Sequence, residues 1–122
     1  MADHNETGKK GENIALQYLQ NKGYSILGKN WHSRHLEIDI IASKGNELVI
    51  AEVKCRTGTP LAEPFVAVNR NKQNMLIKAA NAYIQRNNIN METRFDVISI
   101  TLGKKETYID HIENAFYPNN KS

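Results

Sequence analysis

The sequence predicts an α/β fold, with a mixed sheet flanked by helices. Two observations lead there: the apolar residues change from helical to alternating spacing and back, and the resulting order is helix, three strands, helix, two strands. A third is length, since 122 residues with 40% hydrophobic content suffice for one domain with its own core and not for two. We therefore expect a single domain over residues 1–122, with a core of about 8–116 and flexible tails at 1–7 and 118–122.

From Gly8, "GKKGENIALQYLQNKGY" sets Ile14, Ala15, Tyr18 and Leu19 at helical spacing and ends on Gly23, which suits a left-handed C-cap. Tyr24 to Trp31 reads as a short strand, and "HSRH" as a polar connection. In "LEIDIIA", Leu36, Ile38 and Ile40 are expected on one face and Glu37, Asp39 and Ile41 on the other. The turn "SKGNE" then joins this strand to "ELVIAEVKC" as an antiparallel hairpin. After a loop with Pro60 and Pro64, Asn69 is a candidate N-cap for a second helix carrying Met75, Leu76, Ala79, Ala80, Tyr83 and Ile84. "RFDVISITL" and "TYIDHI" are the last two strands, separated by "GKKE". A helical crossover would make the fourth strand parallel to the third.

Composition narrows the class of protein. "MADHNETGKK" lacks the apolar core of a secretory signal, and no run approaches the ~18 apolar residues of a membrane span, so a cytoplasmic protein without membrane contact is expected. A lone cysteine, Cys55, excludes internal disulfides and zinc sites built on cysteine pairs. Net charge is +3, but residues 52–86 hold six basic and two acidic groups, and this local excess favours a nucleic-acid partner.

The third strand carries the chemical signal. Glu52 and Lys54 sit where a core strand would have Val or Ile, two apart and so on one face. A buried charge costs several kcal/mol unless it is paired, hydrated or metal-bound. If Asp39 or Glu37 of the neighbouring strand comes alongside Glu52, two carboxylates reach one cation, and hard oxygen ligands suit Mg²⁺ or Mn²⁺. Lys54 would then orient an attacking water or offset charge on a bound phosphodiester. Glu12, on the inward side of helix one, adds a third candidate ligand. Lys72 and Gln73 at the second helix's N-terminus, with Arg56 and Arg70, are candidates for nucleic-acid contact. Plainer readings exist for each: edge-strand charges against aggregation, a solvated face for Glu37 and Asp39, a first-turn acid for Glu12, solvated helix residues for Lys72 and Gln73. The four histidines show no metal-ligand spacing. Arg94 and Asp96 read as a structural ion pair.

"GKKGE" with Gly8, Gly11 and Glu12, "EIDIIA" with Glu37 and Asp39, "EVKCR" with Glu52, Lys54 and Arg56, "KQ" at Lys72 and Gln73, "RFDV" from Arg94 and "HIENAF" from His111 together resemble the YraN family of uncharacterised bacterial proteins. The resemblance spans Gly8 to Phe116. That family looks like a branch of the PD-(D/E)xK nuclease superfamily, and is similar to archaeal Holliday junction resolvases in its helix-one glutamate. The resemblance implies a restriction-endonuclease-like core of helix, three-strand antiparallel meander, helix and strand. It implies Asp39, Glu52 and Glu12 as Mg²⁺ ligands and Lys54 as the catalytic lysine. Lys72 and Gln73 would contact metal-bound water or the DNA backbone. The activity it implies is a Mg²⁺-dependent endonuclease on DNA, branched or damaged, working as a homodimer, with a nucleic-acid-binding or adaptor module lacking turnover as the alternative. Two positions depart from the pattern: Ile38 replaces the superfamily's proline, and Cys55 stands where a small hydroxyl residue is more usual.

Overall fold

A computed structural model describes residues 2–58 and 68–118; the loop with Pro60 and Pro64 and most of the 118–122 tail lie outside the described residues. The elements are α1 (Ala2–Asn21), β1 (Ser25–Ser33), β2 (Leu36–Lys44), β3 (Glu47–Thr57), α2 (Arg70–Asn87), β4 (Glu92–Leu102) and β5 (Thr107–Phe116). They form one sheet in the order β1-β2-β3-β4-β5. β1, β2 and β3 pair as an antiparallel meander, α2 crosses over, β4 runs parallel to β3, and β5 returns antiparallel. This mixed sheet with two helices is compatible with the restriction-endonuclease-like fold.

A helix covers each face. On the α1 side, Ala15 and Leu19 pack with Ile40, Ala42, Val49, Ala51, Ile98 and Ile100. On the α2 side, Leu76, Ala79, Ala80 and Tyr83 pack with Ile38, Ile41, Leu48, Ile50 and Phe95. α1 lies so close to β3 that a Cβ on Gly11 would stand 2.6 Å from the Cys55 Cβ. Only glycine permits that approach. Gly11→Ala is accordingly expected to lower stability by about 1–3 kcal/mol in urea unfolding, despite alanine's higher helix propensity.

Local signals set the ends. Gly23, at φ +92°, closes α1, with the Tyr24 N–H reaching back to the Leu19 carbonyl. The Asn69 side chain accepts the Lys72 N–H at 2.8 Å, and Asn88 adopts the left-handed conformation that ends α2.

Four expectations change. The first helix begins at Ala2 rather than Gly8, so most of the supposed 1–7 tail is helical. β1 continues through Ser33, which shrinks "HSRH" to a two-residue turn with Arg34 at φ +59°. β5 extends to Phe116 because Asn114 takes φ +54° where the β4 pairing slips, and its N–H finds the Asp96 carboxylate at 3.1 Å. The last change bears on the site. Leu36 and Ile38 pack on the α2 side, whereas Ile40 packs on the α1 side, so the strict alternation read from "LEIDIIA" fails. The pleat inverts at Asp39, between the pairs Lys29↔Ile40 and Trp31↔Ile38, where Asn30 of β1 sits at φ +49°.

Candidate metal centre

Pairing between β2 and β3 runs from Lys44↔Glu47 to Ile40↔Ala51 and stops there. The Asp39 carboxylate then takes over, accepting the Val53 N–H at 2.9 Å. The strands splay, and a pocket of about 330 Å³ opens at that end of the sheet. Glu12 enters it from α1, Asp39 from β2, Glu52 and Lys54 from β3 and Lys72 from α2. Five of the eight sequence candidates thus meet in one place.

Glu52 is only 7% exposed. Burial, and then the negative charge of Asp39, push its carboxyl up to about 7, against the pull of Lys72 and Lys54. Burial also raises Asp39, although the Val53 N–H, Lys72 and a hydrogen bond with Glu52 oppose it. The two groups behave as a pair sharing a proton near neutrality. The Lys72 ammonium stands 3.6 Å from Glu52 Oε2 and offsets part of the charge. Glu12 is half-buried; burial raises its carboxyl, while a hydrogen bond from the Asn30 side chain lowers it. Glu37 lines the rim, with its carboxylate 2.7 Å from His32 Nε2.

The other candidates lie elsewhere. Arg56 is one step further along the same face of β3 from Lys54, and its Nε donates to Thr101 Oγ1 at 3.1 Å. Arg70 and Gln73 line a separate hollow with Asn74, Ile77 and Tyr117, and Gln73 Nε2 donates to the Val68 carbonyl. Gln73 therefore turns away from the carboxylates, because a step of one residue rotates a helical side chain by about 100° from Lys72. Asn30 was missed by sequence reading. Its only signal is an asparagine inside a strand, a residue that tolerates left-handed backbone.

Among the described residues, no three His, Cys, Asp or Glu side chains converge closely enough to hold a metal by themselves. Asp39 and Glu52 supply two carboxylates, a number that suits Mg²⁺, which commonly keeps several waters and a substrate oxygen. Two buried carboxyls that keep a proton between them are also a place where a cation relieves strain.

A second polar cluster lies on the α1 side of β4. Arg94 makes a bidentate pair with Asp96, at 3.0 and 2.8 Å, and also donates to Glu47 and to Tyr24 Oη. His111 Nε2 lies 2.7 Å from Asp96 Oδ2, and its Nδ1 lies 3.0 Å from Tyr18 Oη. The structural pair expected of Arg94 and Asp96 is present, and it ties β4 to α1, β3 and β5.

No described helix is long and apolar enough to cross a membrane. The family model of "Uncharacterised protein family UPF0102" matches residues 11–100. A "UPF0102 protein" of Bacteroides thetaiotaomicron is 48% identical, with 97% of this chain and 98% of the relative aligned. One from Flavobacterium psychrophilum is 47% identical over 96% of this chain and 98% of its own length. One from Parabacteroides distasonis is 47% identical over 96% and 97%. The chain belongs to the UPF0102 family, which is the YraN family that its motifs resemble.

Proposed function

We propose that this protein is a metal-dependent endonuclease that hydrolyses DNA phosphodiester bonds. The observation that carries this reading is the meeting of Asp39 and Glu52 across the splayed end of β2 and β3, with Lys54 and Lys72 in the same pocket. Asp39 and Glu52 would hold Mg²⁺ or Mn²⁺, and Glu12 would reach the ion's outer side from α1. A bound ion supplies a Lewis acid for the phosphoryl oxygen and a water acidic enough to attack. Lys54, on the face of β3 that carries Glu52, offsets charge on the non-bridging oxygens. Lys72 holds a second positive charge beside Glu52, where it offsets charge on the same phosphate.

The test is a labelled panel of single-stranded, duplex, flap and four-way DNA with Mg²⁺ or Mn²⁺. Cutting of at least one substrate, lost in Glu52→Ala, is expected. Absence of cutting across the panel, or cutting that survives Glu52→Ala, overturns the catalytic reading.

A second reading has its own support: the Lys72 ammonium already neutralises Glu52 in part. A nucleic-acid-binding module without turnover predicts steeply salt-dependent binding and no Mn²⁺ uptake by calorimetry.

A further inference from the structure

α2 covers only part of its sheet face. It packs on Leu48 and Ile50 of β3 and Phe95 of β4, and the same face continues beyond them through Glu52, Lys54 and Arg56. The pairs Arg56↔Thr101 and Thr101↔Tyr108 extend this face across β4 to β5, because residues directly opposite in neighbouring strands share a side. The hydrogen bond from Arg56 to Thr101 Oγ1 confirms it for the first pair. At the far end lies a groove of about 610 Å³, within the range of small-molecule and nucleotide sites. Tyr108, half-buried, presents its ring from this face, and Leu102, which packs with the α1-side core, lines the groove where it rounds the end of the sheet. Lys104 and Lys105, both exposed, form its rim.

The lysines are held in a defined place. The Gly103 N–H donates to the Glu106 carbonyl at 2.9 Å, and a Cβ at Gly103 would meet that oxygen at 2.8 Å. The Gly58 N–H donates to the Leu102 carbonyl at 3.1 Å, which fastens the turn to the end of β3. The Tyr108 hydroxyl is bonded to the Glu106 carboxylate, the one acid in the turn. From Glu52 to Thr57, the residue paired with Leu102, β3 advances roughly 16 Å, a distance that a nucleic-acid strand covers in a few nucleotides. An aromatic ring beside a lysine pair, in line with Lys54 and Arg56, has the chemistry of a single-strand path, where bases stack and phosphates meet ammonium groups.

We propose that this groove binds an unpaired DNA strand running out of the carboxylate pocket, with a base on Tyr108 and backbone phosphates on Lys104 and Lys105. The inference rests on the nuclease reading for what lies at the other end of the strand, but the groove itself is tested by binding alone.

The experiment is fluorescence anisotropy of the full chain with a labelled oligo-deoxythymidine and with a blunt duplex, in EDTA and over a salt series. The wild type is expected to prefer the single strand, and Tyr108→Ala to weaken it about tenfold while Tyr108→Phe keeps it. Lys104→Ala with Lys105→Ala should reduce the salt slope by about 1.4, the share of two single-strand phosphates. Tighter duplex binding, wild-type affinity in Tyr108→Ala, equal losses in the Phe and Ala variants, or no binding of either probe overturns the groove. Tyr108-dependent binding by a protein that cuts nothing keeps the groove and removes the nuclease. Glu52-dependent cutting with wild-type affinity in Tyr108→Ala does the reverse.

Discussion

Glu52→Gln is expected to stabilise the metal-free protein at about pH 8 and, in the same variant, to abolish Mn²⁺ binding. The two effects have one cause. Burial and Asp39 raise the Glu52 carboxyl from 4.5 to about 7, so the folded state holds a proton that the unfolded chain releases earlier. A raised folded-state value gives a stability contribution that is complete below pH 4.5 and is lost as pH rises through about 7. At pH 8 the ionised pair therefore costs up to about 3 kcal/mol relative to acid conditions. Because Asp39 shares the proton, this figure is an upper bound. Glutamine carries no charge at any pH, so the melting temperatures of wild type and variant in EDTA should lie close near pH 4.5 and separate by several degrees by pH 8. Saturating Mn²⁺ should raise the wild type and leave the variant unmoved. Equal melting at pH 8 would mean that the Asp39–Glu52 repulsion is relieved by some other group.

Much of this site was legible in the sequence because strand alternation is a strong constraint. Glu52 and Lys54, two apart on β3, had to share a face whatever the rest of the chain did. The antiparallel hairpin was fixed as firmly by the turn glycine, Gly45, and that brought Asp39 towards Glu52. What stayed hidden depends on departures from regularity. The inversion at Asp39 needs Asn30 in a left-handed conformation, and nothing in "GKNW" distinguishes such an asparagine from one in an ordinary edge strand. The consequence is chemical, since a straight β2 would pair with Val53 through its backbone, whereas the inverted one leaves that N–H to the Asp39 carboxylate. Lys72 and Gln73 part by regular helix geometry, Lys72 reaching Glu52 and Gln73 the Val68 carbonyl. Adjacent residues on a helix point apart, so only one of them can serve the pocket. His111 was passed over because its partners, Asp96 and Tyr18, are 15 and 93 residues away.

Arg94→Met is expected to be the most destabilising single change, at about 3–5 kcal/mol, through the carboxylate that it strands rather than the contacts that it deletes. The Asp96 side chain has no solvent exposure and that of Arg94 has 8%. Burial alone would raise the Asp96 carboxyl, but hydrogen bonds from His111, Arg94 and the Asn114 N–H hold it below 3.8. A lowered folded-state value contributes stability above pH 3.8 that is lost as pH falls below it, so the intact cluster should delay acid unfolding. Removing the guanidinium leaves His111 and one backbone N–H to support a fully buried charge, and Tyr24 loses the donor to its hydroxyl. Arg94→Met with Asp96→Leu separates lost packing from a stranded charge. If the charge is the cause, the double variant recovers most of the single variant's loss, because apolar replacement of a whole buried pair is often neutral or better. If the double variant is as unstable as the single, the cluster acts by joining α1, β3 and β5 to β4. Urea midpoints of the two variants and the wild type at about pH 7 decide between these outcomes. The cluster lies on the α1 side of the sheet, whereas Glu52 faces the α2 side, so either variant, where folded, should bind Mn²⁺ as the wild type does.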